Sequence, residues 1–406
     1  MQNQINSKVI YLDFAATTPL SEAVGKAIEK YLYSPYGNPS SLYSLGRQAH
    51  DVLNANRQQI AEQLAVETGE IYFTGSGTES DNMAILGLAR ANREHGTHII
   101  VSAIEHKAVL AAASELAQEG FSVTYLPVDE FGTVSITALK QALQPDTVLV
   151  SIMYANNEIG TIEPITEIAR VCREYAPQSI YPLVHTDACQ AVGMLPVKPR
   201  DLGVDAMTIN SSKIYGPKGI GLLYVRQGVS LKPLIVGGDQ EQSKRAGTEN
   251  VALIAGFAAA VTSAVAQTNN HAEAMKELRS YFIEQLGEVV PGILFNGHPT
   301  ERLPNNVHIT IPEVEGESLV LMLSEVGVCC ATGSACSSLD LLPSHVLKAI
   351  GQEDDLIHGS LRFTFGRQTT KDELQYAAKA LGEIVIRLRQ ITACNTSAFY
   401  NLTKNV

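Results

Sequence analysis

The chain has 406 residues, 45% of them apolar, with Lys and Arg at 30 against Asp and Glu at 42 and a net charge of −12. That length exceeds what one compact core usually holds, and the acidic balance argues against direct nucleic-acid binding and for small molecules or proteins as partners. Met1–Val9 lacks the apolar core of a secretion signal, and the longest apolar run, Val251–Ala266, is Ala- and Gly-rich and broken by Thr262 and Ser263. It reads as a packed core helix, not a membrane span. Six cysteines with no CxxC pair argue against a disulfide framework and a zinc ribbon. A reducing, cytoplasmic compartment and no metal site are expected.

In chain order, Tyr11–Pro19 is a short extended segment, and Ser21 caps a helix with Val24, Ile28 and Leu32 on its apolar face. Tyr36–Ser41 is a loop, and Arg47–Leu64 has helical periodicity. Strands are expected at Ile71–Thr74, His98–Ser102, Ser122–Leu126, Thr147–Met153, Leu183–Thr186, Ala206–Ile209 and Gly221–Val225. Helical stretches separate most of them, so the fold class is α/β: a mainly parallel seven-stranded sheet flanked by helices. Beyond residue 265 the pattern changes to helix, strand (Asn306–Ile311), helix, strand, helix, an α+β arrangement. The expected domains are a large one over 16–265 and a smaller one over 266–406, with 1–15 packing on the smaller.

Ligands of such a sheet bind beyond the carboxyl ends of its strands, and these strands end in polar groups. Phe73-Thr74 runs into Gly75–Asn82, where Gly77 and Thr78 open a helix. Glycine, hydroxyls and a helix N-terminus suit a phosphate, although a plain helix cap reads equally well, and no P-loop is present. Other strand ends carry His106, then Asn156 and Asn157, then Asp187 and Gln190. Lys213 sits where a strand gives way to a Gly/Pro-rich turn, Asn210–Gly221. A lysine at the mouth of an apolar sheet can lose its proton and become a nucleophilic amine, although most loop lysines are only solvated. One group explains the set: pyridoxal phosphate (PLP), which needs a Schiff-base lysine (Lys213). It also needs a carboxylate at the pyridine nitrogen (Asp187), an imidazole over the ring (His106) and amides on the phenolic oxygen (Asn157, Gln190). Gly77 and Thr78 would hold its phosphate.

Several strings make the chain resemble a cysteine desulfurase of the NifS/IscS group, within the fold-type I, class V PLP enzymes. They are 11–18, 37–41, 73–82, 105–109, 156–160, 213–219, Gly333–Cys336 and Arg362–Arg367, in family order. The resemblance spans roughly residues 10 to 390. It implies conversion of L-cysteine to L-alanine with a persulfide on Cys336, passed on to an acceptor protein of iron–sulfur cluster assembly or tRNA thiolation. It further implies that Arg362 and Asn38 grip the substrate carboxylate. Thr248 would reach the phosphate of the other subunit's PLP, making the enzyme a homodimer.

The run Thr332–Ser338 is built of small residues around Cys336, which suits an accessible thiol, whereas Cys329 and Cys330 follow an apolar run and read as core thiols. Three positions depart from the family pattern: Ser212 stands where a His precedes the lysine, Cys189 where a Thr is usual, and Tyr43 where a His is expected. Asn210 stands where a Ser is common, and Asn210 and Ser212 are expected to contact the PLP phosphate. Two alternatives stay open: a C–S or selenocysteine lyase that needs no protein thiol, and a desulfurase-like scaffold with impaired turnover.

Overall fold

The computed structural model describes residues 9–333 and 343–403, with side chains described up to residue 391. Cys336 lies outside the described residues. The chain divides into two compact units. The larger comprises residues 17–157 and 161–271; the smaller comprises 158–160, 272–406 and the segment ending at Ala16.

Twelve strands occur among the described residues: β1 Ile10–Tyr11, β2 Ile71–Thr74, β3 His98–Ser102, β4 Ser122–Leu126, β5 Thr147–Ser151, β6 Leu183–Asp187, β7 Ala206–Asn210, β8 Gly221–Val225, β9 Leu294–Asn296, β10 Asn306–Thr310, β11 Val328–Cys329 and β12 Ser360–Thr364. In the larger unit β2-β8-β7-β6-β5-β3-β4 make one seven-stranded sheet. All neighbours are parallel except β8, which runs antiparallel to both β2 and β7. The reason is local. β7 and β8 are joined by a tight connection, too short for the crossover a parallel pair needs.

Strand alternation splits the core into two layers. Ile100, Val150, Val184, Met207, Leu222 and Tyr224 face one side, where they meet Phe257 and Val261 of the helix Val251–Ala266. Ile99, Val101, Leu149, Leu183, Ala206 and Leu223 face the other, against the helices Gly77–Ala91 and Lys107–Gln118. Covered on both faces, the central strands read as continuous Val/Ile/Leu runs. No single described helix is long and apolar enough to cross a membrane.

Some bounds differ from expectation. β5 stops at Ser151 because the Met153 N–H leaves the ladder to donate to Glu105 Oε1 at 2.8 Å. The short helix His345–Ala349 starts where it does because Ser344 is its cap, its hydroxyl accepting the Leu347 N–H. Ser21 caps the helix Glu22–Leu32 as expected. The smaller unit holds an antiparallel sheet β12-β10-β9 and the parallel pair β1-β11. Phe282 meets Phe363 and Phe365 edge to face in its core, at 5.2 and 5.6 Å between ring centroids.

One buried ion pair ties the edge of the large sheet. Arg57, on the helix Ser44–Leu64, makes a two-pronged contact with Glu241 at 2.8 and 2.6 Å and also donates to Ile71 O at 2.7 Å. Glu241 Oε2 accepts the Phe73 N–H at 2.9 Å as well. Glu241, Gln242 and Ser243 all lie in the left-handed region, at φ of 46°, 56° and 61°. Three such side-chain-bearing residues in a row are strained, and the Glu241 carboxylate is what holds them. Glu241→Ala leaves a buried guanidinium without its counter-charge, its remaining hydrogen bond being the one to Ile71 O, so a loss of about 3–5 kcal/mol of unfolding free energy is expected. Denaturant unfolding of the two proteins checks it, and a loss under about 1 kcal/mol would show the pair to be dispensable.

Candidate active site

The β7–β8 turn carries Lys213. Ser211–Lys213 forms one 3₁₀ turn, and Asn210 Oδ1 accepts the Ser212 N–H at 3.3 Å. A segment far away in sequence latches this turn. The Thr18 N–H and hydroxyl both donate to Ser212 O, at 2.8 and 3.0 Å. The same hydroxyl accepts the Tyr215 N–H at 2.7 Å, fixing Tyr215 at a φ of 63°. Gly216 is obligatory, since a Cβ there would lie 2.1 Å from Ser211 Oγ. Lys213 thus hangs from a backbone pinned on both sides, and its side chain is half-buried.

Three elements converge beside it. The helix Gly77–Ala91 starts at Ser76, whose hydroxyl accepts the Glu79 N–H at 3.1 Å. A Cβ on Gly77 would sit 3.1 Å from Cys189 Sγ and 3.3 Å from Asn210 Nδ2. So the bare helix start, the Cys189 thiol after β6 and the Asn210 amide at the end of β7 share one small space. Thr78 is exposed at the same helix start. Glu79 faces away from that start, bonding the Gly75 N–H and pairing with Arg245 at 2.9 Å. Asp187, at the end of β6, is buried, and its Oδ1 accepts the Cys189 N–H at 2.8 Å. Burial first, then the nearby Asp187 and Asp81 carboxyl groups, push the Cys189 thiol well above its usual pKa, while Lys213 draws it down.

His106 caps the helix Lys107–Gln118, its Nδ1 accepting the Ala108 N–H at 3.1 Å. An accepting Nδ1 leaves the neutral ring's proton on Nε2, which fixes the tautomer. Next to it, Glu105 is wholly buried, its Oε1 accepting from Ser102 Oγ at 2.6 Å and from the Met153 N–H; burial pushes it to about 8. The neighbouring Asn156 is buried and donates to Ile104 O, so it braces the loop, while Asn157 and Gln190 are half-buried.

Asn38 is exposed and its Oδ1 accepts the Ser40 N–H at 2.9 Å, and Thr248 is exposed. Arg362 belongs to the smaller unit, where it is buried on β12 and pairs with Asp13 at 2.8 Å. Sequence reasoning passed over Thr18 and Asp81. Thr18 follows Asp13–Thr17 with no periodic signal. Asp81, five residues into an apolar helix, reads from spacing as a surface position, yet it is 2% exposed.

A family model described as aminotransferase class-V matches residues 10–377. The chain is similar to a cysteine desulfurase IscS of Dictyoglomus turgidum, 48% identical over 94% of this chain and 96% of the relative. It is also similar to a cysteine desulfurase IscS of Methanosarcina thermophila, 45% identical over 98% of this chain and 96% of that one. Among solved structures, a NifS-like protein superposes with a TM-score of 0.87 at 35% identity, covering 93% of this chain and 99% of that one.

The cap made by His106 is separable from any chemistry at Nε2. His106→Ala removes the acceptor for the Ala108 N–H and should cost about 0.5–2 kcal/mol in denaturant unfolding, whereas His106→Asn, a strong capping residue, should recover most of that. Equal stability of the Ala variant and the parent would rule the cap out.

Proposed function

The chain belongs to the aminotransferase class-V family and is a PLP-dependent cysteine desulfurase, and on that premise we propose that the rim around Lys213 is its catalytic centre. The observation that carries this is the small space shared by Gly77, Cys189 and Asn210 at a helix N-terminus, which any Cβ on Gly77 would narrow. Backbone N–H groups and an amide there suit a phosphate. A buried carboxylate at Asp187 and an amine at Lys213 suit a protonated pyridine and an aldehyde, so the donor set fits PLP. Bound there, PLP supplies an electron sink that lowers the barrier to breaking bonds at the substrate's α-carbon.

The protein's own residues divide the rest. Asp187 would set its carboxyl against the ring nitrogen, and Asn157 and Gln190 would hold the phenolic oxygen. Gly77, Thr78, Asn210, Ser212 and the partner subunit's Thr248 hold the phosphate. Lys213 would hold the aldehyde and could move a proton, and Nε2 of His106 could hold and pass another. Arg362, oriented by its pair with Asp13, binds the substrate carboxylate together with Asn38. The Cys336 thiolate attacks the substrate sulfur. An S–S bond forms, the Cβ–S bond breaks with its electron pair left on carbon, and a proton then completes alanine. The balance is L-cysteine plus Cys336–SH giving L-alanine plus Cys336–S–SH. The sulfur then goes to an acceptor protein, for iron–sulfur cluster assembly or tRNA thiolation.

A homodimer is part of the same reading. Tyr33, Tyr36 and Leu42 are 78%, 79% and 88% exposed, and Val236 is 79% exposed, an apolar set that a second copy would cover. A cytoplasmic location fits a reaction that needs reduced thiols.

Two mutants separate cofactor binding from sulfur acceptance. The purified protein should show the visible absorbance of PLP bound to a lysine, and Lys213→Ala should abolish it. Cys336→Ala should keep that absorbance, still change colour with cysteine and lose sulfide production. Sulfide release near the parental rate would instead make the enzyme a lyase. A further expectation concerns Ser212, whose hydroxyl is shorter than the imidazole of the resembling enzymes. A charge-assisted hydrogen bond is worth about 1.5–3 kcal/mol and a water-bridged one keeps part of it, so Ser212→His should hold PLP roughly tenfold more tightly. Equal or faster loss of PLP from the His variant, measured by dilution, would make Ser212 neutral.

A further inference from the structure

Lys213 is the second residue of the four-residue stretch 212–215, in which the chain turns from β7 towards β8. Ser211 O closes the turn from within, accepting the Ile214 and Gly216 N–H groups, both at 3.1 Å. The next two groups, Ser212 O and the Tyr215 N–H, are the i and i+3 pair that a β-turn joins directly. Here a side chain stands between them. Thr18 Oγ1 donates to Ser212 O at 3.0 Å and accepts the Tyr215 N–H at 2.7 Å. One hydroxyl thus gives its proton to the peptide before the lysine and a lone pair to the N–H beyond it.

The segment that carries the hydroxyl is itself tied to the same turn. The Thr18 N–H donates to Ser212 O at 2.8 Å, and the Ser21 N–H donates to Tyr215 O at 3.1 Å. Thr18 is 3% exposed and Tyr215 6% exposed, so solvent offers little replacement for the hydroxyl. Tyr215 also takes a φ of 63°, which a bulky residue adopts only where its surroundings require it. In a direct N–H···O bond the two heavy atoms lie about 2.9 Å apart, which leaves no room for an oxygen between them. Losing the hydroxyl therefore lets the turn close on itself. The peptide groups that move are the ones carrying Lys213.

We propose that Thr18 is a positioning residue for the desulfurase reaction: its hydroxyl holds the 212–215 turn open and so sets where the Lys213 amine stands each time it lets go and returns. That Lys213 carries the cofactor rests on the proposed function; the hydroxyl bridge does not. Thr18→Val keeps the shape of the side chain and removes the bridge. Thr18→Ser keeps the bridge and removes only a methyl group.

The test compares both variants with the parent as full-length holoenzymes. Rates are taken per bound cofactor, from the visible absorbance, so that unfolded protein does not count. Thr18→Val should lower kcat for L-cysteine about tenfold and leave KM within about twofold, since displacing a reacting group costs rate more than binding. The resting spectrum should also return about tenfold more slowly once added L-alanine is diluted out. Thr18→Ser should restore both to within about twofold of the parent. A Val variant that already lies within that range, or a Ser variant as slow as the Val variant, overturns the proposal. Two further measurements need no cofactor chemistry. Crystal structures should show Ser212 O and the Tyr215 N–H bonded directly in Thr18→Val, with Lys213 displaced; a turn that keeps its shape without the hydroxyl overturns the proposal. In the parent the Tyr215 amide should resist hydrogen exchange, and free exchange there overturns the proposal even if Thr18→Val does not fold. A parent without visible absorbance would sink the PLP reading, yet the crystal and exchange arms would still decide the bridge.

Discussion

A carboxyl group placed under the carboxyl end of the seven-stranded sheet must find its donors inside the protein, because water hardly reaches it. Glu105 shows the consequence for the backbone. It takes the Ser102 hydroxyl and the Met153 N–H on the same oxygen, and the second of these draws Met153 out of β5. The strand ends early, and the chain turns into Tyr154–Gly160, where Asn157 stands. Even so, burial pushes Glu105 to about 8, and Glu163, which accepts the Val134 N–H, to about 8 as well. Each has a folded pKa above its unfolded one of 4.5. Their contribution is therefore fully present below that value and lost as pH rises through about 8. The site gains acids that stay neutral where an exposed carboxylate would be charged, at a cost to stability in alkali.

Lys213 depends on the opposite device, a turn fixed by hydrogen bonds to uncharged groups. The antiparallel return of β8 against β7 puts the turn at the same end as the parallel strands' carboxyl termini. Thr18 then locks it from outside with three hydrogen bonds on one residue. Strained backbone lies at Tyr215, beside the lysine, and at Glu241–Ser243, which Arg57 holds. Both are stabilised by partners almost two hundred residues away in sequence. A rigid turn matters for a lysine that must bind, let go and return to one position, since a small displacement costs rate steeply.

Much of this is legible in the sequence, and the limit is physical. The strands of the large sheet are visible because burial on both faces demands unbroken apolar runs, and their ends are visible because polar residues follow abruptly. Lys213 stands out by the Gly/Pro turn around it. Sheet order and the reversed β8 are not written in any local pattern; they follow from which pairs meet. Nor is the partnership of Arg57 with Glu241, or of Thr18 with Ser212 and Tyr215, since nothing in either segment names the other. Asp81 is hidden for a different reason. Its neighbours Glu79 and Asn82 are ordinary polar residues early in the helix, and only the packing of that helix on β7 turns one polar position among them inward.

The same packing bears on which thiol can accept sulfur. A persulfide must form on a thiolate, and a thiolate needs solvent or positive charge. Burial pushes Cys172 up to about 12 and raises Cys330 far above the ordinary thiol range. Cys189, on which the charge of Lys213 acts, is pushed up by burial and then by the charge of Asp187, whose Oδ1 accepts its backbone N–H. It is thus held protonated beside the helix start that Gly77 opens. Threonine, usual at this position in the resembling family, gives a hydroxyl of similar size; this chain keeps a sulfur there but denies it the charge that would make it reactive. Sulfur acceptance then requires a thiol outside this buried set, on a segment free of such carboxylates. The small-residue run around Cys336 meets that requirement in its composition.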